Sequence, residues 1–296
     1  MPLDRTRLLA WPVPRVEQRL DATHAILYAL ALGLGEDPCD ERQLAYVYER
    51  NLLLMPTFAT VVAHPGFWLR DPRTGVAWEH VVHGEQGMHL HRPLTPGRTV
   101  AGVTHVTHVA DKGPGIGALL EQERVLTDVA SGEVLATLTM TTFCRGDGGC
   151  GGPRETRRRP LPPLPEGAPQ WSHEIPTAPH SALLFRLLGD ENPLHADPDV
   201  ARRAGFERPI LHGLCTFGIA GRALVERLCP LAPQRLQVMR ARFSAPVYPG
   251  ETLRTECWLD ATSTTVRFRT LCAERGVVVL DRGEATIAPA EEAGLG

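Results

Sequence analysis

Asp190, Asn192 and His195 fall within six residues, in the run Gly189-Asp-Glu-Asn-Pro-Leu-His-Ala-Asp-Pro198. Asn192-Pro193 is a turn-forming pair that stiffens the backbone. An acid, an amide and an imidazole in one rigid turn can hold a water and move its protons. A second cluster, Pro209-Ile-Leu-His-Gly213, follows shortly afterwards. Gly213 can open a helix, leaving its backbone N–H free for a carbonyl oxygen. Asp-x-Asn-Pro is also ordinary turn and capping chemistry, and a lone Asp or His there is more often structural. The joint pattern favours catalysis. For Asp197 the structural reading wins, because Asp-Pro ahead of Asp199-Val-Ala-Arg-Arg reads as a helix start. His212 either lines the site or packs beside Gly213.

Elements to carry these residues are visible around them. Leu211, Leu214, Cys215, Ile219 and Leu224 recur at helical spacing, predicting a helix from Leu211 to Leu228 that Cys229-Pro230 ends. The segments 236–244, 252–259, 264–271 and 277–287 are rich in Val, Thr, Phe and Arg and read as antiparallel strands. In the first half, 100–109, 117–127 and 134–143 read as strands, and 44–48 and 58–63 sit near a helical part.

The two halves look like copies of one unit. Pro93, Pro96, Gly97 and Thr99 repeat as Pro246, Pro249, Gly250 and Thr252, each 153 positions on. The same offset carries Pro209 back to Pro56 and Asp190 back to Asp37. The reacting set does not repeat. His195 falls back on Arg42, and His212 and Gly213 fall on Ala59 and Thr60. The first unit is therefore expected to be catalytically silent. The Gly- and Pro-rich stretch between them, Gly148-Gly-Cys-Gly-Gly followed by Arg157-Arg-Arg-Pro-Leu-Pro-Pro-Leu-Pro, predicts an extended, semi-rigid linker rather than an active-site loop. The expected units are 1–147, a linker at 148–172, and 173–296.

Composition removes several functional classes. The 296 residues are long enough for two domains, and 43% hydrophobic residues suit a globular chain. A net charge of −3, with no long block of like charge, gives a nucleic-acid partner little support. Lys112 is the one lysine, an Arg bias of the kind GC-rich coding produces. No apolar run approaches membrane-spanning length, and neither a signal peptide nor, in the terminal Gly-Leu-Gly, a peroxisomal address is expected. Seven cysteines, odd in number and without a Cys-x-x-Cys pair, suggest no disulfide framework and point to a reducing cytoplasm.

The Gly189–Pro198 and Pro209–Gly213 runs resemble the hydratase 2 motif of the MaoC-like, (R)-specific enoyl-CoA hydratases. Leu188 stands where that family often has Ser. Similarity extends through Ile26-Leu-Tyr-Ala-Leu, Leu54-Met-Pro-Thr-Phe, Val82-His-Gly-Glu-Gln and Asp111-Lys-Gly to nearly the whole chain, in the pattern of the two-domain members. The resemblance implies an α+β double hot-dog, two units each with a long helix wrapped by an antiparallel sheet. It implies interconversion of (2E)-enoyl-CoA and (3R)-3-hydroxyacyl-CoA, with Asp190 and His195 as the catalytic pair, Asn192 orienting water or substrate, and Gly213 as oxyanion donor. Which of Asp190 and His195 takes the first proton stays open. It further implies a silent first unit that widens the acyl pocket, medium, long or bulky acyl groups, no cofactor beyond the CoA thioester substrate, and a homodimer. A dehydratase acting on carrier-protein or polyketide thioesters is the near alternative. A non-catalytic acyl-CoA-binding or partner subunit is the alternative of another class.

Other constellations are weaker. His89-x-His91 and His105-x-x-His108 lack a carboxylate or cysteine to complete a metal set, so no metal is expected. Gly113-Pro-Gly-Ile-Gly lacks the context of a phosphate loop and reads as a turn. Arg240 and Arg242 are candidates for the CoA phosphates, and His212 is a candidate substrate contact.

Overall fold

A computed structural model describes residues 3–259 and 264–290; the C-terminal Gly-Leu-Gly lies outside them. Ten strands form one antiparallel sheet: β1 (Val16–Arg19), β2 (Val81–Leu90), β3 (Thr99–Gly113), β4 (Gly117–Asp128), β5 (Val134–Cys144), β6 (Trp171–Pro176), β7 (Leu236–Phe243), β8 (Thr252–Leu259), β9 (Thr265–Cys272) and β10 (Val277–Ile287). Among the described residues six α-helices accompany it: α1 (Arg5–Leu9), α2 (Ala22–Ala31), α3 (Glu41–Val47), α4 (Ser181–Phe185), α5 (Pro198–Arg203) and α6 (Gly213–Leu228).

The sheet order is β1-β3-β4-β5-β2-β7-β10-β9-β8-β6. Read outward from the centre, the two halves have one topology, each strand answering the one five places later. The duplication expected from the 153-residue offset is thus built into the strand order. The paired Pro-Gly turns support it, since Gly97 and Gly250 both take positive φ, 89° and 96°, where a side chain would strain the backbone. The halves join by β2 against β7, with Glu85 opposite Arg242 and Met88 opposite Met239. Closing the units edge to edge leaves neither central strand as an open template.

α6 is the central helix of the second unit. Every residue from Cys215 to Val225 is buried, so the apolar positions read from the sequence face a core on all sides. Close approach depends on small residues: a Cβ on Gly218 would lie 2.6 Å from Leu32 and Tyr28 side chains, and one on Gly221 2.7 Å from Thr57. Buried Arg222 is satisfied by the Leu32 carbonyl at 2.9 Å and Glu226 at 2.8 Å. The helix starts at Gly213, two residues later than expected, because His212 (φ −59°, ψ 136°) is still extended and acts as the N-cap position.

The first unit departs from the expected long helix. Pro56–Thr60, which the offset matches to Pro209–Gly213 at the start of α6, forms only a short 3₁₀ turn. Ala63 takes a positive φ of 45°, and Pro65-Gly66 follows. Proline disfavours helix in the residue before it, so the turn cannot propagate. The segment that follows lines a cavity.

β8 and β10 have the expected bounds, and β3, β4, β5, β7 and β9 differ by a few residues at their ends. The sequence reading missed β1, β2 and β6. The linker has no helix or strand up to β6, which begins at Trp171, so the last two residues assigned to it pair with β8. The linker crosses the outer face of the sheet, where its carbonyls accept from arginine side chains: Arg240 donates to Arg159 O at 2.9 Å, and Arg267 donates to Pro162 O at 2.6 Å. Leu161 anchors it as a buried contact.

Candidate active site

The turn carrying Asp190, Asn192 and His195 is held by its own short side chains. Gly189 (φ 107°) ends the preceding 3₁₀ turn. Asp190 Oδ1 accepts from the Asn192 N–H at 3.2 Å, and Asn192 Oδ1 accepts from the Leu194 N–H at 3.1 Å. Pro193 then opens a 3₁₀ turn that delivers His195. Asp197 caps α5 through the Asp199 and Val200 N–H groups, the structural role read for it in the sequence. The capping bonds use one oxygen each of Asp190 and Asn192 and leave a carboxylate oxygen and an amide nitrogen unspent.

His195 is 8% exposed. Its Nδ1–H donates to the Ile210 carbonyl at 2.8 Å. That bond fixes the tautomer and leaves Nε2 as the lone-pair nitrogen. Burial holds its pKa below the ordinary value, with the Asp190 charge and the Ile210 carbonyl pulling the other way. An Asp190 oxygen and ring nitrogens of His195 and His212 all lie within 4.8 Å of one another. One water can bridge groups at that spacing. His212 donates Nε2–H to the Asp190 carbonyl, and its ring stacks on His195.

His212 corrects the expectation of a substrate contact. It is fully buried and absent from the cavity wall. Its ring stacks on His195 with centroids 3.7 Å apart and rests on Phe185 at 5.0 Å. Burial, then the neighbouring His195, push its pKa well down. It is a neutral platform that positions the turn.

Gly213, the first residue of α6, lines the cavity with Asp190, Asn192 and His195. Cys215 and Thr216 N–H both turn back to the His212 carbonyl. The N–H groups ahead of them belong to the helix's first turn, which has no earlier helical carbonyl to reach. A Cβ on Gly213 would meet the Phe243 ring at 3.2 Å.

Arg242 is also corrected. Its Nε and one terminal nitrogen both bond Glu85 Oε1, at 2.9 and 2.7 Å, and it does not line the cavity. The cross-strand register places the two opposite one another, so the guanidinium ties the units together. Arg240 faces the linker. Asp37, in an exposed bend, and Arg42, exposed in the first turn of α3, also lie away from the cavity. His89 and His91 rings do meet, at 4.1 Å, as alternation predicts, and His91 Nε2 bonds Thr137 Oγ1. Among the described residues they are not part of any three-ligand cluster.

The cavity measures about 580 Å³, within the usual range for small-molecule sites. Much of its wall comes from the first unit. Thr60, His64, Phe67, Trp68 and Leu69 come from the segment that failed to become a helix, and Val82, His83, Gln86, Gln122, Arg124 and Leu138 from its strands. Sequence reasoning missed these residues. Their signal was the same-face alternation of polar residues in a strand, such as Gln122 and Arg124.

One acid–imidazole turn and one helix N-terminus facing a cavity shared by two hot-dog units define a double hot-dog dehydratase-type protein. The comparisons agree. The MaoC like domain matches residues 161–282, and the MFE-2 hydratase 2 N-terminal domain matches residues 19–146. The chain is 37% identical to the enoyl-CoA hydratase ChsH3 of Mycobacterium tuberculosis, over 88% of this chain and 91% of that protein. It is 33% identical to a probable enoyl-CoA hydratase 2 of Dictyostelium discoideum, over 100% of each. A MaoC-like dehydratase from Phytophthora capsici superposes with a TM-score of 0.83 at 32% identity, covering 96% of this chain and 99% of that one. The chain belongs to the two-domain MaoC-like, hydratase 2 family.

Proposed function

We propose that the protein interconverts (2E)-enoyl-CoA and (3R)-3-hydroxyacyl-CoA. The observation that carries this reading is the His195 Nδ1–H bond to Ile210, which leaves Nε2 as a base beside the Asp190 carboxylate at the cavity wall. A water held between Asp190 and His195, and oriented by the Asn192 amide, adds its oxygen to C3. The pair takes one proton as the C–O bond forms and returns one to C2. His195 Nε2 is the first acceptor, since burial keeps it neutral. Negative charge gathers on the thioester oxygen, where the Gly213 N–H donates. The sequence left the first base open, and the tautomer supports this choice.

Neither a redox group nor a metal enters this scheme, and CoA is part of the substrate. The first unit contributes volume, which favours medium, long or bulky acyl groups. Among the described residues no helix is long and apolar enough to cross a membrane. Seven unpaired thiols support a reducing compartment, the cytoplasm in this reading. The protein is read as a homodimer with one active site per chain, the commonest symmetry for soluble assemblies; light scattering at micromolar concentration tests it.

The deciding experiment follows loss of the conjugated enoyl thioester, with chiral analysis of the product. Formation of (3R)-3-hydroxyacyl-CoA supports the proposal. Faster turnover of carrier-protein thioesters than of CoA thioesters would move the assignment to a carrier-protein dehydratase. Binding without turnover would make the protein a non-catalytic acyl-CoA-binding subunit.

A further inference from the structure

The cavity wall in the first unit holds an uncompensated cation. Arg124 on β4 is 7% exposed. One of its terminal nitrogens donates to the Thr60 carbonyl, while Nε and the other terminal nitrogen have no partner. Among the described residues no carboxylate offsets it: burial pulls its pKa down, to about 9. Glu121 and Glu123, its neighbours on the strand, alternate to the opposite face, where their charges act on Arg158.

Polar groups surround the guanidinium. Gln122, two residues back on the same face, donates to Thr142 Oγ1 at 3.2 Å and leaves Oε1 unpartnered. Thr104, opposite Arg124 on β3, has an unpartnered hydroxyl. Both residues line the cavity with Arg124 and are at most 5% exposed. Buried polar groups are ordinarily satisfied, and an unpaired buried charge is costly. The cluster is not remote from the reacting turn, since His64 feels the charges of both Arg124 and Asp190.

An acyl pocket built only for hydrocarbon would not place a bare guanidinium in its wall. The adenosine phosphates of CoA do not suit it either. They carry several negative charges, and one enclosed cation cannot compensate them. The group that reaches this wall belongs to the acyl chain. Resting on the hydratase reading for the thioester end, we infer that the acyl group carries a carboxylate at its far end and seats it on Arg124. The carboxylate accepts from the free guanidinium N–H groups and from the Thr104 hydroxyl. The preferred substrate is then an ω-carboxy enoyl-CoA, the mono-thioester of an unsaturated dicarboxylic acid.

The test uses saturated thioesters, which bind but cannot react. Calorimetry compares ω-carboxyacyl-CoA with the acyl-CoA of equal length, over a series of lengths, on the wild-type protein and on Arg124→Met. The ω-carboxy ligand is expected to bind the wild type at least about tenfold tighter at its best length, the scale of one charge-assisted contact. Arg124→Met is expected to abolish the difference. Equal or weaker binding of the ω-carboxy ligand by the wild type at every length would overturn the inference, and this arm does not depend on the variant folding. A preference that survives in Arg124→Met would overturn it as well. Binding is read without turnover, so failure to hydrate any enoyl-CoA would sink the reaction assignment and leave this comparison intact.

Discussion

The imidazoles of His195 and His212 lie face to face, 3.7 Å between centroids and 26° between planes. Each ring donates one N–H to a backbone carbonyl, His195 to Ile210 and His212 to Asp190. The two clusters read in the sequence are thus laced together. A residue from each donates to the backbone of the other.

His212→Phe keeps an aromatic platform and removes the bond to Asp190. We expect a folded protein whose hydration kcat falls by about 10- to 100-fold, the scale of a sub-ångström to ångström displacement of a reacting group. KM should change little, because His212 does not reach the cavity. A drop in KM-related affinity with kcat intact would show that it touches substrate.

Asp190→Asn and His195→Ala are expected to lower kcat by about 10²- to 10⁴-fold with little change in Tm, as for general acid–base groups. Near wild-type turnover in either variant would remove that residue from the mechanism. The double variant should lose little more than the worse single one, since both act on one water.

The turn read as catalytic was legible because its information is local. Asp190, Asn192, Pro193 and His195 define a capped turn within a few residues, and the strands of the second unit announce themselves by Val, Thr and Phe alternation. The first unit was harder. β2 was missed because Gly84 and Gly87 interrupt its pattern, yet Gly87 is required there: a Cβ would lie 2.3 Å from Thr139 Oγ1. The long helix that the resemblance implies for the first unit does not form after Pro56, where only a 3₁₀ turn precedes Pro65-Gly66. The cavity wall of Thr60, His64, Gln122 and Arg124 is assembled from separate elements, and only folding brings these residues together.

Arg242 and Glu85 join the units, so their removal should cost stability rather than catalysis. Arg242→Met and Glu85→Gln are each expected to lower Tm by a few degrees. Their side chains are 42% and 23% exposed, and solvent screening limits the coupling to about 0.5–1 kcal/mol. A double-mutant cycle in chemical denaturation measures it. If Arg242 held a CoA phosphate instead, Arg242→Met would raise KM for every CoA thioester and leave the Tm alone.

Acid should affect both turnover and stability through histidines that the fold keeps neutral. Burial is the first cause in each case. It lowers His195, takes His83 down to about 4, and takes His64 down to about 3 with the help of Arg124. For turnover, the base must be unprotonated. kcat/KM should therefore hold on the alkaline side and fall only once pH drops below the ordinary histidine value of 6.5. For stability, the unfolded chain takes up protons near 6.5 while the folded His83 and His64 do not until about 4 and 3. Between those limits the unfolded state binds more protons, so stability is complete above 6.5 and is lost as pH falls. His83→Gln removes one such group. The Tm of the wild type should exceed that of the variant by about 2–4 °C more at neutral pH than near pH 5, the shift expected for roughly 1 kcal/mol in a chain of this size. Scanning calorimetry at the two pH values reads the difference directly, and parallel Tm curves would show that His83 is not held neutral by the fold.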